Sequence, residues 1–194
     1  MESNNEEIKE KYFDYSKRAL WLRAFVLGGH EGLVFTTLLI TGVGTITRDI
    51  KLMLLTSFTG LVAGALKLAI AEFVSVYTQV DVIVFQTKRD IRMGRGRQIG
   101  QLPNPYQISL LALLAYVVWG TLPLLAAASI RDLRLRSSIA IAVASLSMFV
   151  LGILGAALGK TPFARSCAIK LIGGWIAISM SWGSKRFLDR YSKL

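Results

Sequence analysis

The sequence predicts an all-α, polytopic membrane protein with five transmembrane helices. Of its 194 residues, 53% are hydrophobic, and the mean hydropathy is +0.50. The apolar residues fall in stretches of about twenty, which is the length that a helix needs to cross a hydrocarbon layer about 30 Å thick. These stretches are rich in Leu, Ala, Ile and Gly and lack the strict alternation of barrel strands. Helices therefore fit the pattern, and an ordinary soluble domain does not.

The predicted spans divide the chain into a membrane domain, residues 20–188, and two short ends. Residues 1–19 are charged and aromatic and form a cytosolic or interfacial segment, with aromatic rings at headgroup depth. Residues 189–194 are a polar tail. The spans run from Leu20 to Ile46, Leu52 to Gln79, Tyr106 to Ile130, Ile139 to Leu158 and Ala168 to Phe187.

The net charge of +11 comes from Lys and Arg residues that flank the apolar stretches. In membrane proteins such cations meet anionic headgroups, so membrane lipid is the expected partner and nucleic acid is not. More of them lie on the side of the N-terminus than on the opposite side, and the positive-inside rule then places the N-terminus in the cytosol. Cys167 is the single cysteine, so no disulfide forms within the chain, and a packing role is favoured for it.

Three charged residues lie more than one helical turn from either end of a predicted span, where a charge costs about 2.5–3.5 kcal/mol on insertion scales. They are Glu31 in span one, and Lys67 and Glu72 in span two. Charged residues at such depth usually face a pathway or a partner rather than lipid. They are the strongest indication of function in the sequence.

Polar side chains accompany the two carboxylates. In span two, the spacing of Glu72, Ser75 and Gln79 places them on one helical face. In span one, His30 lies beside Glu31, and hydroxyls follow at Thr36, Thr37 and Thr41. Oxygen ligands of this kind suit a hard or borderline divalent cation, which competes with protons for carboxylates. The sequence therefore predicts metal ligands at Glu31 and Glu72 and a transport path along His30, Ser75, Gln79 and Lys67.

Two alternatives to this interpretation stay open. A Glu within the membrane can be protonated and hydrogen-bonded to a neighbouring helix, and a lone His is more often a packed side chain than a ligand. Lys67 lies about 12–15 residues from either end of the predicted span, or ~20 Å of helix, too far for its stem to reach the interface. It is five positions from Glu72, which is not i, i+4 spacing. We therefore expect Lys67 to face protein or water, with Glu31 or a second protomer as its partner.

A series of segments carries a family resemblance. They run from Phe13 to Arg18, Trp21 to Ala24, Gly28 to Val34, Ala63 to Ala65, Glu72 to Tyr77, Leu102 to Pro105, Leu122 to Ala128 and Gly173 to Trp175. In this order and spacing they resemble the vacuolar iron transporter family, and within it the plant nodulin-like branch. The similarity extends from about residue 12 to residue 188.

The resemblance implies a five-helix membrane protein that forms a homodimer, with the ion path between protomers along helices one and two. It implies export of Fe²⁺, and often Mn²⁺, from the cytosol into the vacuole in exchange for protons, without a cofactor. Family members carry an Asp in helix one and a Glu in helix two on that path. Glu31 and Glu72 match these two positions.

The sequence also departs from the family pattern. His30-Glu31 stands where the family usually has Asn-Asp, and Lys67-Leu68 stands where it usually has Ser-Met. The second change removes a soft sulfur and adds a cation near the path. The loop after span two is basic, which repels a metal cation that approaches from the cytosol; its cations include Arg92, Arg95 and Arg97.

The predicted function is proton-coupled transport of Fe²⁺ or Mn²⁺ across the vacuolar membrane, which contributes to iron and manganese homeostasis. The alternative is a family member that has lost transport because of Lys67 and Leu68, and that acts as a partner subunit or carries another solute. An enzyme is not expected, because the sequence has no clustered His and Cys ligands, nucleophile motif or phosphate-binding glycine loop.

Overall fold

A computed structural model describes residues 2–46, 49–94, 102–130, 132–160 and 163–191. These residues form five helices, so the predicted all-α class is confirmed. The helices are α1 (Glu2–Ile46), α2 (Ile50–Arg92), α3 (Pro105–Ala128), α4 (Leu133–Gly159) and α5 (Phe163–Tyr191).

Within the described residues, four helical segments are long and apolar enough to cross a membrane. They are Arg18–Gly44, Ile50–Arg92, Pro105–Ala128 and Leu135–Gly159. The apolar stretch of α5, Cys167–Met180, is shorter. The predicted polytopic character is therefore confirmed, whereas the fifth span stays a prediction.

The helices α1 and α2 extend well beyond their predicted spans. They contain 45 and 43 residues, so each is ~65 Å long, about twice the hydrocarbon thickness. The segment predicted to lie at the interface, residues 1–19, continues the first helix from Glu2 without a break. Since α2 runs antiparallel to α1 and continues past Gln79 to Arg92, both extensions project from the same side of the bundle.

Local sequence explains where these helices start and stop. Asp49 caps α2 by accepting a hydrogen bond from the Lys51 backbone N–H at 2.9 Å. Asn104 caps α3 in the same way, and Pro105 follows in the first turn, where its missing N–H costs nothing. The helix α4 ends at Lys160, whose backbone is left-handed with φ 50° and ψ 38°.

The bundle is organised around α1, which contacts all four other helices. Within the described residues, α2 packs against α1 and α3 alone, and α5 against α1 and α4 alone. The helices α2 and α5 therefore lie at opposite edges. The outer face of α2 is uncovered, because large apolar side chains along it are more than half exposed; these are Leu55, Phe58, Leu66, Ile70 and Val74.

The helices α1 and α3 approach closely at two glycines. A Cβ at Gly28 would overlap the carbonyl of Ala112, and one at Gly32 would overlap the carbonyl of Tyr116. Glycines at this spacing let helix backbones meet. The packing role that the Gly28 and Gly32 spacing predicts is confirmed.

One cation in the first turn of α4 is part of the fold rather than of the surface. Arg136 is 1% exposed, and both its Nε, at 2.8 Å, and its Nη2 donate to the Ile130 carbonyl. These bonds satisfy a carbonyl just after the end of α3. Arg136 therefore does not act as a headgroup anchor, the role that its place beside an apolar stretch predicts.

Candidate ion-binding site

Glu72 forms an ion pair with Arg23 inside the protomer. Glu72 is 5% exposed, and its Oε2 accepts a hydrogen bond from Arg23 Nη2 at 2.8 Å across the α1–α2 interface. The Arg23 side chain keeps 45% of its surface exposed. Sequence reasoning missed this partner, because Arg23 lies among the flanking cations at the start of span one. In this structure Glu72 is thus paired with a guanidinium of its own protomer, and its role as a metal ligand stays a prediction.

Glu72 lies at the level where α3 begins. The adjacent Phe73 ring packs against Tyr106, the second residue of α3, with centroids 5.0 Å apart. From the start of α2 at Ile50 to Glu72 the helix rises ~33 Å, which is about the full hydrocarbon thickness. Glu72 therefore lies about one hydrocarbon thickness along α2 from Ile50, at the level of the N-terminus of α3.

Lys67 lies on the exposed side of α2. It is five residues from Glu72, or ~8 Å along the helix. Its depth in the membrane and its partner stay predictions.

The contacts of Tyr116 show which part of α2 lies at the same depth in the bundle as Glu31. Its carbonyl lies against Gly32 of α1, and its hydroxyl lies against Gly64 of α2, where a Cβ would overlap it. Tyr116 and Glu31 are close enough to interact electrostatically. Tyr116 is thus a residue of the candidate site that sequence reasoning missed; the signal was a phenol, which needs a polar partner, inside an apolar span.

Glu31 lies at the middle of the apolar span Arg18–Gly44 and is exposed. Among the described residues neither Glu31 nor Lys67 forms an ion pair. Arg23 is level with Glu72, and Glu31 follows Arg23 by eight residues of α1. Gly64, which is level with Tyr116, precedes Glu72 by eight residues of α2. Both helices therefore place the two carboxylates ~12 Å apart along the bundle. The structure therefore does not bring Glu31 and Glu72 together within one protomer.

The polar stripe on α2 points inward, as its spacing predicts. Leu68 and Glu72 are buried, and Gly64, Ser75 and Gln79 are partly buried. Ser75 and Gln79 lie one and two turns beyond Glu72, toward the projecting end of α2. They lie on the face of α2 that carries Glu72, whereas Lys67 lies on its exposed flank.

His30 contacts a different part of the bundle. Its Nε2 lies 3.1 Å from the backbone carbonyl oxygen of Lys170 in α5, and Gly173 and Gly174 lie beside the ring. His30 therefore links α1 to α5, on the far side of α1 from α2.

The buried hydroxyls of α1 and α2 fall into two groups. Thr37 and Thr41 donate to the carbonyls of Leu33 and Thr37 in their own helix, at 2.7 and 2.8 Å. Among the described residues, the buried hydroxyls of Thr36 and Ser57 have no hydrogen-bond partner. Unpaired buried hydroxyls are costly and usually hold water.

Among the described residues, no three His, Cys, Asp or Glu side chains lie together as a candidate metal site. Hard divalent cations take six or more oxygen ligands, water included. Glu31 and Glu72 each offer one carboxylate, and their role as metal ligands stays a prediction.

Long apolar helices, with carboxylates placed along the face between two of them, define a polytopic membrane protein of the kind that moves ions. The family model of the VIT family matches residues 22–95, which include Arg23, Glu31 and Glu72. Vacuolar iron transporter homolog 4 of Arabidopsis thaliana is 45% identical over 198 residues, which cover 98% of this chain and 99% of the relative. The chain therefore belongs to the VIT family.

Other relatives agree with this placement. Vacuolar iron transporter homolog 1 of Arabidopsis thaliana is 45% identical over 95% of this chain and 91% of the relative. VIT-like transporter 1b of Glycine max is 45% identical over 90% of this chain and 79% of the relative. These relatives are named transporters, not enzymes. The family predicted from the sequence is confirmed.

Proposed function

We propose that this protein transports a divalent metal, Fe²⁺ and also Mn²⁺, from the cytosol into the vacuole in exchange for protons. The names of its relatives support iron as the substrate and the vacuolar membrane as the location. The observation that carries the proposal is the exposed carboxylate of Glu31 at the middle of a membrane span.

Glu31 has no stable place against lipid. A charged carboxylate at that depth costs several kcal/mol unless water, a cation or a partner group meets it. Beside it runs the uncovered outer face of α2. A second copy of the chain packed on this face would enclose Glu31 of both protomers in one polar path, and would supply two carboxylates at the same depth. The proposed transporter is therefore a homodimer.

Glu72 forms the entrance in this proposal. With the N-terminus in the cytosol, Gln79, Ser75 and Glu72 succeed one another from the cytosolic side toward the bundle. An entering cation competes with the Arg23 guanidinium for the Glu72 carboxylate, so the ion pair acts as a gate. Beyond Glu31, the unpaired hydroxyls of Thr36 and Ser57 suit a hydrated continuation of the path.

Uptake into proteoliposomes tests this function. The purified protein should accumulate Fe²⁺ or Mn²⁺ when the lumen is more acidic than the outside, and metal entry should raise the luminal pH because protons leave in exchange. Glu72→Gln is the informative variant, because the amide oxygen still accepts from Arg23 while the charge is lost. We expect its uptake to fall about tenfold or more, since a charged ligand contributes about 1.5–3 kcal/mol. Parent-like uptake by Glu72→Gln would remove Glu72 from the path.

A second candidate function rests on Lys67, which lies exposed on the flank of α2 between the levels of Glu72 and Glu31. An ammonium there can occupy the place of a metal by pairing with Glu31 across a dimer interface. The chain would then be a transport-deficient family member that serves as a partner subunit or carries another solute. Lys67→Ser discriminates the two: uptake that appears only in this variant supports the second function, and equal uptake in parent and variant rejects it.

A further inference from the structure

A cavity of about 470 Å³ lies between α1, the end of α4 and the first half of α5. Four cationic side chains line it, and among the described lining residues none is acidic; the cations are Arg18, Arg23, Lys160 and Lys170. Most of the remaining wall is apolar and includes Leu22 and Leu158. This combination differs from the candidate ion path, because a cavity lined by cations repels a metal ion.

The cavity lies at a membrane boundary. Arg18 is the first residue of the apolar span of α1, and Lys160 directly follows the last residue of the span of α4. Both ends lie on the side from which the extensions of α1 and α2 project. A group bound there is therefore at the depth of lipid headgroups, with the apolar wall facing the acyl region.

The four cations come from three segments, because Arg18 and Arg23 both lie in α1, and the described lining residues include no carboxylate. Arg23 pairs with Glu72 outside the cavity wall, and the Lys170 ammonium lies near the Leu151 carbonyl at 3.4 Å and against Gly155. Arg18, Arg23 and Lys160 are exposed and Lys170 is partly buried, and neighbouring cations repel each other. A ligand with several negative charges relieves this repulsion, and phosphate groups accept hydrogen bonds from Arg and Lys with matching geometry.

We propose that this cavity binds the phosphorylated headgroup of an anionic membrane lipid. The basic residues hold the phosphates, and the apolar wall holds the glycerol and the first part of the acyl chains. Basic pockets between helices at the cytosolic boundary of a membrane are suited to such headgroups. Binding of the headgroup does not depend on which ion the protein transports.

Arg23 links the lipid site to the ion path, and this link rests on the proposed function. The same guanidinium lines the cavity and holds Glu72 at 2.8 Å. A phosphate that binds Arg23 competes with the Glu72 carboxylate for its donors. The lipid therefore frees Glu72 for a cation, and it should activate transport.

Binding is tested on the full-length protein in nanodiscs of phosphatidylcholine. The probe is fluorescent phosphatidylinositol bisphosphate with short acyl chains, and its soluble headgroup, inositol trisphosphate, is the competitor. The test variant combines Arg18→Gln with Lys160→Asn, since Asn tolerates the left-handed backbone at that position. The matched control, Lys88→Gln with Arg92→Gln, removes two exposed cations from the projecting end of α2 on the same side.

We expect saturable binding that falls about thirtyfold in the test variant, at roughly fivefold for each cation, and changes little in the control. Equal losses of probe binding in both variants, or no saturable binding by the parent, would contradict the proposed lipid site. Competition by inositol trisphosphate at the affinity of the lipid probe overturns the assignment to a lipid and leaves a soluble phosphate as the ligand.

A separate measurement tests whether lipid binding at Arg23 releases Glu72 and activates transport. In proteoliposomes, phosphatidylinositol bisphosphate should raise metal uptake by the parent and not by the Arg18→Gln, Lys160→Asn variant. Equal stimulation of both proteins overturns the link. Absence of uptake under every lipid condition contradicts the proposed function alone, because binding in nanodiscs is measured without transport.

Discussion

Two acidic residues on neighbouring helices have opposite environments. Glu72 is buried at the boundary of the bundle and is paired with Arg23 at 2.8 Å. Glu31 lies ~12 Å deeper along the bundle, at the middle of an apolar span, and is exposed without an ion pair among the described residues. The residue that should most need a partner is therefore the one that lacks it.

The two carboxylates therefore contribute differently to folding and to transport. The charge of Glu72 is neutralised by its own protomer, so the Arg23–Glu72 pair forms when one chain folds. The charge of Glu31 is tolerable in a membrane only with water, a cation or another protomer beside it. We infer that Glu31 is kept for transport and assembly, while Glu72 serves both the fold and the entrance of the path.

The sharpest test of this comparison is at Glu31. Glu31→Gln should lower metal uptake about 100-fold, because a charged ligand is lost from both protomers. Thermal unfolding, followed by tryptophan fluorescence in detergent, should change little, since the side chain is exposed. Glu31→Asp keeps the charge and is the matched control; we expect it to retain uptake. If Glu31→Gln transports like the parent, Glu31 is not on the path.

Gly32 tests the packing that sets the level of Glu31. Gly32→Ala places a methyl group against the Tyr116 carbonyl, and the backbone must move apart, which should cost ~1–3 kcal/mol. Gly42→Ala is the control, since nothing lies within 4 Å of its added Cβ. Unfolding in a denaturing detergent titration measures both variants, and equal stability of the two would contradict the close approach of α1 and α3.

A double-mutant cycle measures how strongly Glu72 is held. Arg23→Ala, Glu72→Ala and the double variant should give a coupling free energy of ~1–2 kcal/mol, below that of a fully buried pair because water screens the exposed side of Arg23. The readout is the free energy of unfolding. Additive effects of the two single variants would show that the pair contributes nothing to the fold.

The smallest expected effect concerns His30. His30→Ala removes its bond to the Lys170 carbonyl and should lower stability by ~1 kcal/mol while metal uptake stays within about twofold. Ser145→Ala is the control, because Ser145 bonds only within α4, to the Ile141 carbonyl. A loss of uptake comparable to that of Glu31→Gln would instead place His30 on the path.

Sequence reasoning succeeded where the signal is local. The apolar stretches predicted the helices, Gly28 and Gly32 predicted a close helix contact, and Glu31, Lys67 and Glu72 stood out because charges are rare in apolar segments. It failed at the ends of the elements. A helix that continues into water carries the same α-helical pattern as one that ends at the membrane, so the continuation of α2 from Gln79 to Arg92 was not predicted.

The sequence by itself determined the class of protein, the family and which charged residues need an explanation, because hydropathy and residue spacing act along a single helix. The tertiary structure alone decided that Arg23 pairs with Glu72, that Tyr116 stands between the helices near Glu31, and that four cations from distant segments line one cavity. These are contacts between helices, and they depend on how each helix is rotated and shifted against its neighbours. Packing sets those two quantities, and no pattern within one segment encodes them.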